Sequence, residues 1–282
     1  MAGLSGQMTD SPSDRLTEKL KGKTALVTGA SSGLGADFSR QLAAAGCNLI
    51  LVARRKERLE AVRDEISAAH NVTIDLITMD LLTKDAARSL YDEVKSWDRQ
   101  VDVLINNAGY GLFGWFFKLD WQKQMDMLQL DMIVPTELTR LFAADMVERG
   151  FGYVLFVSSV AGYVATPSYA AYAGAKSYAL LLGEALNFEL RRTGVGVTVL
   201  SPGITRTEFL EVSGQRPTLY QRLFAMASPR VARVGLKAML ARRASVIPGF
   251  WNSLLIISTR IMPRRWQKWV AYGLMWNRQL RQ

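Results

Sequence analysis

Two residue types that carry much enzyme chemistry are almost missing from this chain of 282 residues. It has one cysteine, Cys47, and one histidine, His70. A single cysteine cannot form an intramolecular disulfide bond, which agrees with the cytoplasm or another reducing compartment. A Ser-His-Asp hydrolase would have to use His70, which lies where a helical pattern changes to a strand pattern, far from any nucleophile motif. We therefore interpret His70 as an exposed loop residue, and no metal site is predicted.

Acidic residues are missing from the last quarter of the sequence. From Val212 onward there are 13 Lys and Arg residues and no Asp or Glu, although the whole chain carries a net charge of only +10. This asymmetry predicts an anionic partner for that end of the chain: anionic lipid, an acidic substrate or nucleic acid. Because the basic residues are mixed with a strongly apolar run, we expect no nucleic-acid partner.

Long apolar runs are also lacking at both ends. Residues 1–21 are rich in Ser, Thr, Asp and Lys, have no segment resembling a signal sequence, and are predicted to be a flexible tail. Residues 249–282 hold an apolar run far shorter than the roughly 20 residues that span a bilayer. Tryptophans interleaved with arginines there are typical of a helix lying in a membrane interface. We expect either peripheral attachment at the inner face of a membrane, or packing of this extension on its own domain or on a second subunit.

Between these ends, residues 22–248 alternate β-branched apolar runs with amphipathic patterns. Strands are predicted at 24–28, 48–52, 72–79, 101–105, 153–157, 195–200 and 245–247, and helices near 34–45, 56–69, 83–97, 121–149, 170–192 and 228–243. Continuous apolar runs suit strands that are buried on both faces. The predicted fold is α/β: a doubly wound, Rossmann-type parallel sheet of about seven strands with helices on both faces. Ligands of such sheets bind beyond the carboxyl ends of the strands.

A glycine-rich turn, Thr28-Gly-Ala-Ser-Ser-Gly-Leu-Gly35, follows the first predicted strand and leads into a helix. Glycines let the backbone turn sharply, bring its N–H groups close to a pyrophosphate and let the helix pack on the strand. The position between strand and helix favours a dinucleotide-binding turn over an ordinary βα turn. The residues predicted to bind the cofactor here are Gly29, Ser31, Ser32, Gly33, Leu34 and Gly35.

The second predicted strand ends at Arg54 and Arg55. Sheets that bind NAD usually carry an acid at this point, which accepts hydrogen bonds from the ribose hydroxyls. A guanidinium offers planar paired donors and a permanent positive charge, which suits the 2′-phosphate of NADP(H). We therefore predict NADP(H) as the cofactor, with Arg54 the stronger candidate. Arg55 is more easily explained as a solubilising residue at the start of a helix.

From about Lys23 to Phe209 the chain resembles the short-chain dehydrogenase/reductase family. Six ordered motifs carry the resemblance: the glycine turn, Asp80-Leu81, Asn106-Asn107-Ala108-Gly109, Ser158-Ser159, Tyr172 to Lys176, and Pro202 to Thr207. The resemblance implies cofactor contacts from Asp80 and Leu81 near the adenine, from Asn107, Ala108 and Gly109 along the adenosine ribose, and from Pro202, Gly203, Thr205 and Thr207 at the nicotinamide amide. It also implies a homo-oligomer, a dimer or a tetramer. Ser32 departs from the pattern, because many NADP(H)-dependent members have a basic residue there.

The chemistry is predicted from three side chains. Tyr172 and Lys176 are four residues apart on a predicted helix and therefore share one face. An ammonium beside a phenol favours the phenolate, so we expect Tyr172 to exchange a proton with substrate nearer neutral pH than its free pKa of about 10 allows. Ser159 is expected to donate a hydrogen bond to the substrate oxygen, where negative charge grows. The family spacing selects Ser159 over Ser158, and the resemblance adds a hydrogen bond from Lys176 to the nicotinamide ribose.

Asp131 is a departure among the catalytic candidates. The family usually has an asparagine at this position, which helps to relay protons to the lysine through water. An anion there would change the electrostatics around Lys176. The alternatives are a working replacement in the relay, a tolerated substitution and a misalignment.

Apolar and aromatic residues flank the predicted site on two segments. They are Tyr110, Leu112, Phe113, Trp115, Phe116 and Phe117, and Phe209, Leu210, Leu219, Tyr220 and Phe224. They favour a bulky apolar substrate such as a lipid, steroid or acyl ketone, or else a packing cluster or subunit interface. The predicted function is an NADP(H)-dependent oxidoreductase that transfers a hydride between nicotinamide and the carbonyl or secondary alcohol group of a small molecule. The alternative is a non-catalytic NADP(H)-binding sensor or scaffold.

Overall fold

A parallel sheet of seven strands forms the centre of the molecule. The computed structural model describes residues 18–276 and Leu280. The strands are β1 (Thr24–Thr28), β2 (Asn48–Ala53), β3 (Ile74–Thr78), β4 (Val103–Asn106), β5 (Gly152–Val157), β6 (Val195–Leu200), β7 (Thr205–Arg206), β8 (Met226–Ala227) and β9 (Ser245–Val246). The order across the main sheet is β3-β2-β1-β4-β5-β6-β9, while β7 and β8 form a separate pair. This doubly wound order confirms the predicted fold.

Helices cover both faces of the sheet. They are α1 (Gly33–Ala44), α2 (Lys56–Ala69), α3 (Ala86–Ser96), α4 (Trp121–Leu128), α5 (Val134–Glu148), α6 (Ala170–Glu189), α7 (Phe209–Val212), α8 (Leu219–Phe224), α9 (Ser228–Leu240), α10 (Phe250–Ile261) and α11 (Arg264–Met275). One apolar core lies between the sheet and α1, α2 and α9, and a second lies between the sheet and α3, α5 and α6. Neighbouring strand residues alternate between these cores: Val27 belongs to the first and Leu26 to the second. Burial on both faces explains the continuous apolar runs in the sequence.

The helix predicted over 121–149 is interrupted in the structure. Residues Gln129–Ile133 form a π-helical turn between α4 and α5. The cause is Pro135, in the first turn of α5. Proline has no N–H to donate to the carbonyl four residues earlier, and its ring crowds that carbonyl, which belongs to Asp131. The wider turn leaves the Asp131 side chain fully buried.

Thr28, the last residue of β1, joins two loops at the carboxyl edge of the sheet. Its hydroxyl donates to the carbonyl of Ile105 (3.2 Å) and accepts from the backbone N–H groups of Asn107 and Ala108 (3.0 Å each). The Asn107 side-chain amide donates in return to the carbonyl of Thr28 (2.9 Å). The glycine turn after β1 and the loop after β4 are therefore held against each other.

The C-terminal helices pack over this same edge. Gln267 on α11 donates to the carbonyls of Thr259 (2.7 Å) and Met262 (2.9 Å), which joins α11 to the end of α10. The Gln215 side chain, after α7, donates to the carbonyl of Met275 (3.4 Å). The extension therefore packs on its own domain over residues 250–275, which is one of the alternatives expected for it. Within the described part of the chain, no helix combines the length and the apolar character needed to cross a membrane.

The predicted flexible tail, residues 1–21, falls largely outside the described residues. Of its last four residues, Leu20 is fully buried in the core that contains α1. The backbone N–H of Gly22 donates to the carbonyl of Gly46 at 2.8 Å. The ordered fold therefore begins a few residues earlier than predicted.

Candidate active site

The glycine turn has the geometry of a phosphate-binding loop. Gly29 and Gly33 have φ angles of +67° and +55°, a region that strains other residues. A Cβ on Gly35 would lie 2.2 Å from the carbonyl oxygen of Gly29, so only glycine fits where α1 passes over the turn. The N-terminus of α1 points at the cleft beyond β1, where its free N–H groups and its dipole attract an anion.

A cavity of about 700 Å³ extends from this turn along the carboxyl edge of the sheet. Most of the cofactor and catalytic candidates line it. They are Gly29, Ser31, Ser32, Gly33, Leu34, Arg54, Arg55, Asp80, Leu81, Asn107, Ala108, Gly109, Ser159, Tyr172, Lys176, Pro202, Gly203, Thr205 and Thr207. Two candidates do not: Gly35 is packed inside the turn, and Asp131 is buried behind Gly109. The amide of Asn107, expected along the ribose, is engaged by the carbonyl oxygens of the glycine turn.

The two arginines after β2 occupy different surroundings. Arg54 lies 3.6 Å from the Asp80 carboxylate and is largely exposed. Arg55 donates to the hydroxyl of Ser32 at 2.8 Å and reaches that of Ser31 at 3.4 Å. Arg55, the weaker candidate from sequence, therefore places its guanidinium on the glycine turn, beside the position where Ser32 replaces a basic residue.

Glu208 connects these arginines to the segment after β6. Its carboxylate accepts hydrogen bonds from Arg58 and, at 3.0 Å, from Arg55. These two guanidinium groups hold the pKa of the Glu208 carboxyl below its usual value, with Arg58 the larger cause. Because Glu208 directly follows Thr207, it links the expected nicotinamide segment to the end of β2.

Ser159, Tyr172 and Lys176 meet at the opposite end of the cavity. Ser159 follows β5, and its hydroxyl accepts from the N–H of Ala161 at 3.1 Å. Its neighbour Ser158 is buried and donates to the backbone carbonyl of Lys176 at 2.6 Å, which gives it a structural contact instead. Lys176 donates to the carbonyl of Val157 at 3.1 Å. Helix α6 and the end of β5 therefore hold the three side chains in one place.

The pKa of Tyr172 shifts in the direction opposite to the expected one. Burial of the phenol raises this pKa, the Asp131 carboxylate raises it further, and a hydrogen bond with Ser159 acts against both. Lys176 Nζ lies 5.6 Å from the centre of the Tyr172 ring. It also lies 3.4 Å from Asp131 Oδ2. The expected lowering of this pKa rested on the Lys176 ammonium and left out the burial of the phenol, which is the largest cause of the observed direction.

Tyr169, one turn before Tyr172 on the chain, has a separate task. Its hydroxyl lies 3.0 Å from that of Ser213 and donates to Gln215 Oε1 at 2.9 Å. These contacts attach the segment after α7 to the cavity wall. Tyr169 therefore organises the substrate side and does not compete with Tyr172 for the proton.

The apolar part of the cavity differs from the expectation. Leu112, Phe209 and Leu210 line it, but Phe117 and Leu219 are 97% and 74% exposed and do not. The remaining wall comes from the C-terminal helices, through Leu255, Ile256, Met262, Val270, Leu274 and Met275. The sequence allowed this segment to bind a membrane or to pack on its own domain or on a second subunit, but did not predict that its inner face lines the cavity. The recurrence of apolar residues every three or four positions in α10 and α11 was the available signal.

Comparison with known proteins agrees with this geometry. A family model described as short chain dehydrogenase matches residues 23–217. A short chain dehydrogenase of Pseudocercospora fijiensis is 34% identical over 227 residues, which cover 77% of this chain and 72% of that protein.

Two solved structures share the fold. A short-chain dehydrogenase from Sphingobium yanoikuyae in complex with NADPH superposes with a TM-score of 0.76 at 28% identity, covering 85% of this chain and 95% of that one. A bulky-bulky ketone specific alcohol dehydrogenase from Comamonas testosteroni gives 0.72 at 28% identity, with 85% and 93% covered. The chain therefore belongs to the short-chain dehydrogenase family, a family of oxidoreductases.

Proposed function

We propose that the protein is an NADP(H)-dependent oxidoreductase that interconverts a carbonyl and a secondary alcohol on a bulky apolar molecule. One observation carries the proposal: Ser159, Tyr172 and Lys176 lie in the same cavity as a glycine turn with an arginine on it. Catalysis needs the proton-transfer group and the hydride carrier to face one substrate atom. A single cavity that contains both elements meets this requirement.

The residues present fit a dinucleotide. The glycine turn and the start of α1 would hold the pyrophosphate, the loop at Asn107 to Gly109 would lie along the adenosine ribose, and Pro202 to Thr207 would hold the nicotinamide amide. When bound, the nicotinamide supplies a hydride to the carbonyl carbon in reduction, or accepts one from the alcohol carbon in oxidation.

The chain's own residues handle the proton. In reduction, Tyr172 gives its phenolic proton to the substrate oxygen as the carbonyl carbon gains the hydride, and the phenolate regains a proton from solvent. Ser159 donates a hydrogen bond to the same oxygen as its negative charge grows. Lys176 is held in position by its hydrogen bond to the carbonyl of Val157 and would donate a hydrogen bond to the nicotinamide ribose. Oxidation follows the same steps in reverse.

Replacing Tyr172 by phenylalanine tests the enzymatic function. The variant removes one hydroxyl and keeps the ring that packs against Phe209. We expect kcat/KM for ketone reduction to fall by about a hundredfold to ten-thousandfold, the usual range for general acid catalysis. The measurement is the loss of NADPH absorbance over a panel of apolar ketones.

Tyr178→Phe is the matched control, since Tyr178 lies on the same helix but contacts Thr136 away from the cavity. It should keep the parent's rate. Unchanged turnover in Tyr172→Phe would remove the proposed proton donor. A parent that binds NADPH and turns over no ketone would support a sensor or scaffold instead.

The preference for NADP(H) rests on the cations around the turn. Arg55 is within hydrogen-bonding distance of the hydroxyl groups of Ser31 and Ser32, and Arg54 stands at the end of β2. No acid occupies the position after β2 that would accept hydrogen bonds from ribose hydroxyls. Charge-assisted hydrogen bonds to a 2′-phosphate are the strong contacts that this arrangement offers.

Arg55→Gln and Arg54→Gln test separately how much each arginine contributes to NADPH binding. Loss of a hydrogen bond to a charged group costs about 1.5–3 kcal/mol, so we expect NADPH affinity to fall by about tenfold or more in Arg55→Gln, with NADH affinity almost unchanged. Fluorescence titration with each cofactor measures both. Lys56→Gln, which removes the same charge from the next position, is the control. Equal losses for NADPH and NADH would show that Arg55 does not read the phosphate.

The C-terminal helices support a lipid-facing position. The inner faces of α10 and α11 line the cavity, while Trp251, Ile257, Ile261, Trp266 and Trp269 are each more than half exposed on the outside. Arg260, Arg264, Arg265 and Lys268 stand among them. We propose that this outer surface rests on anionic lipid, with the aromatic rings at the headgroup level.

Flotation with vesicles tests the membrane contact. The parent should float with vesicles of phosphatidylcholine and phosphatidylserine, and less with phosphatidylcholine alone, because each Lys or Arg near an anionic surface contributes about 1 kcal/mol. Replacing Trp266 and Trp269 together by glutamine should abolish flotation. Trp97→Gln, an exposed tryptophan at the end of α3, should not affect it. Flotation that is equal in all three proteins would end the proposal.

A homo-oligomer remains the expectation from family membership. Leu181 and Phe188 on α6 are more than 60% exposed, and Ile133 next to α5 is also exposed. This apolar surface is the part of the main domain that a second copy would cover. Light scattering of the purified chain measures its molar mass, and a monomer would overturn the expectation.

A further inference from the structure

Asp131 is the charged group of the site whose task the chemistry above leaves unassigned. Its side chain is fully buried and forms an ion pair with Lys176, with 3.4 Å between Asp131 Oδ2 and Lys176 Nζ. Neither carboxyl oxygen accepts a well-formed hydrogen bond from the described residues. A buried carboxylate without such partners is expensive unless a cation offsets it. The charged form of Asp131 is stabilised chiefly by Lys176 and, to a smaller extent, by the backbone N–H of Tyr110.

The backbone around Asp131 is built to admit the carboxyl group at this place. The π-helical turn before Pro135 directs it inward, and a Cβ on Gly109 would lie 2.2 Å from Oδ1. Gly109 and Lys176 both belong to the wall of the cavity, so the carboxylate lies directly behind that wall. The charge is consequently close to the reacting groups yet cannot touch the substrate.

We infer that Asp131 is a positioning residue whose buried negative charge neutralises Lys176 and thereby keeps Tyr172 protonated at neutral and alkaline pH, so that the site is set to donate a proton to a carbonyl oxygen. The inference rests on the proposed function of Tyr172. With an uncharged side chain at 131, burial would still raise the pKa of Tyr172, but the Lys176 ammonium would favour the phenolate without an anion beside it. With Asp131, the attraction of the ammonium for the phenolate is largely cancelled.

The other titratable groups around the pair do not reverse this result. Tyr169, which directly precedes α6, also acts to raise the pKa of Tyr172. Tyr110, from the loop after β4, has a pKa raised to about 12 by burial and by Asp126 and Asp131, so it is neutral over the working range. Asp126 on α4 adds negative charge on the same side. Two cations oppose them: Lys176, which lies beside Asp131, and Arg54, which lowers the pKa of Tyr110.

The protonation state of Asp131 itself fits the role. Burial raises its pKa to about 6, although Lys176 pulls it down. A raised carboxyl pKa means that the proton is lost only above about pH 6, so the group is an anion at pH 7 and higher. The negative charge of Asp131 is therefore present in the pH range in which Tyr172 would otherwise begin to lose its proton.

The pH profile of Asp131→Asn is the first test. Asparagine has nearly the same shape and removes the charge. We expect the alkaline fall of kcat/KM for ketone reduction, and the alkaline rise for alcohol oxidation, both to move to lower pH by about one unit or more, the usual effect of a nearby charge. The alkaline fall for reduction and the alkaline rise for oxidation must shift together, because a substitution in the enzyme cannot change the equilibrium constant of the reaction. Asp131→Ser, a second neutral variant, should move them in the same direction.

Asp92→Asn is the control for loss of one negative charge, since Asp92 is exposed on α3 and pairs only weakly with Arg88. Its profile should match that of the parent. Parent-like profiles in both Asp131 variants would overturn the inference, as would a shift to higher pH.

A titration without cofactor or substrate separates this inference from the proposed function. Tyrosine labelled with ¹³C at Cζ reports ionisation of each phenol, and Tyr172→Phe identifies the signal of Tyr172. In the parent this signal should stay that of a phenol through the alkaline range in which the protein remains folded, whereas in Asp131→Asn it should titrate at lower pH. An unshifted titration refutes the inference even if Tyr172 proves catalytic. A shifted titration in a protein that turns over no ketone supports it and refutes the proposed function.

Discussion

The candidate active site depends on the convergence of parallel strands at one edge of the sheet. Because β1, β4, β5 and β6 all point the same way, the segments that follow them emerge side by side. The Thr28 hydroxyl then joins the first two of these segments through three hydrogen bonds. The N–H of Val160 joins the other two by donating to the carbonyl of Pro202 at 2.9 Å. Residues more than a hundred positions apart in sequence thus share one cavity.

Charge in this cavity is arranged in two compensated groups, one at each end. At the end with the glycine turn, Glu208 lies between Arg55 and Arg58. At the end with Tyr172, Asp131 lies against Lys176. The two groups differ in strength because of solvent: water screens the first, which is exposed, whereas the second is buried.

The C-terminal helices α10 and α11 line the cavity on one side and are exposed on the other. Apolar residues on the inner faces of α10 and α11 close the cavity, and tryptophans and basic residues point outward. A helix that is apolar on both sides needs a second apolar phase or partner on its outer surface. The same short segment therefore forms both a wall of the cavity and an apolar outer surface. The proposals of a bulky apolar substrate and of a lipid surface are consistent with each other for this reason.

Local patterns in the sequence determined much of this molecule. Alternating apolar runs and amphipathic stretches predicted the seven strands of the main sheet and most helices of that domain. Strands buried on both faces have continuous apolar runs, whereas helices buried on one face repeat apolar residues every three or four positions. Ordered motifs also identified Ser159, Tyr172 and Lys176, since their spacing reflects elements that were themselves predictable. The break at Gln129–Ile133 followed from Pro135, but the helical period around it was strong enough to hide the break.

Only the tertiary structure decided how charges and surfaces are paired. Arg55 reaches Ser32, and α10 and α11 line the cavity, through contacts between residues distant in sequence. The pKa of Tyr172 rises, against the expectation, because the phenol is buried and because the Asp131 carboxylate raises it further. A pKa or a cavity wall is set by everything packed around a group in three dimensions, whereas periodicity and motif spacing report only on neighbours along the chain.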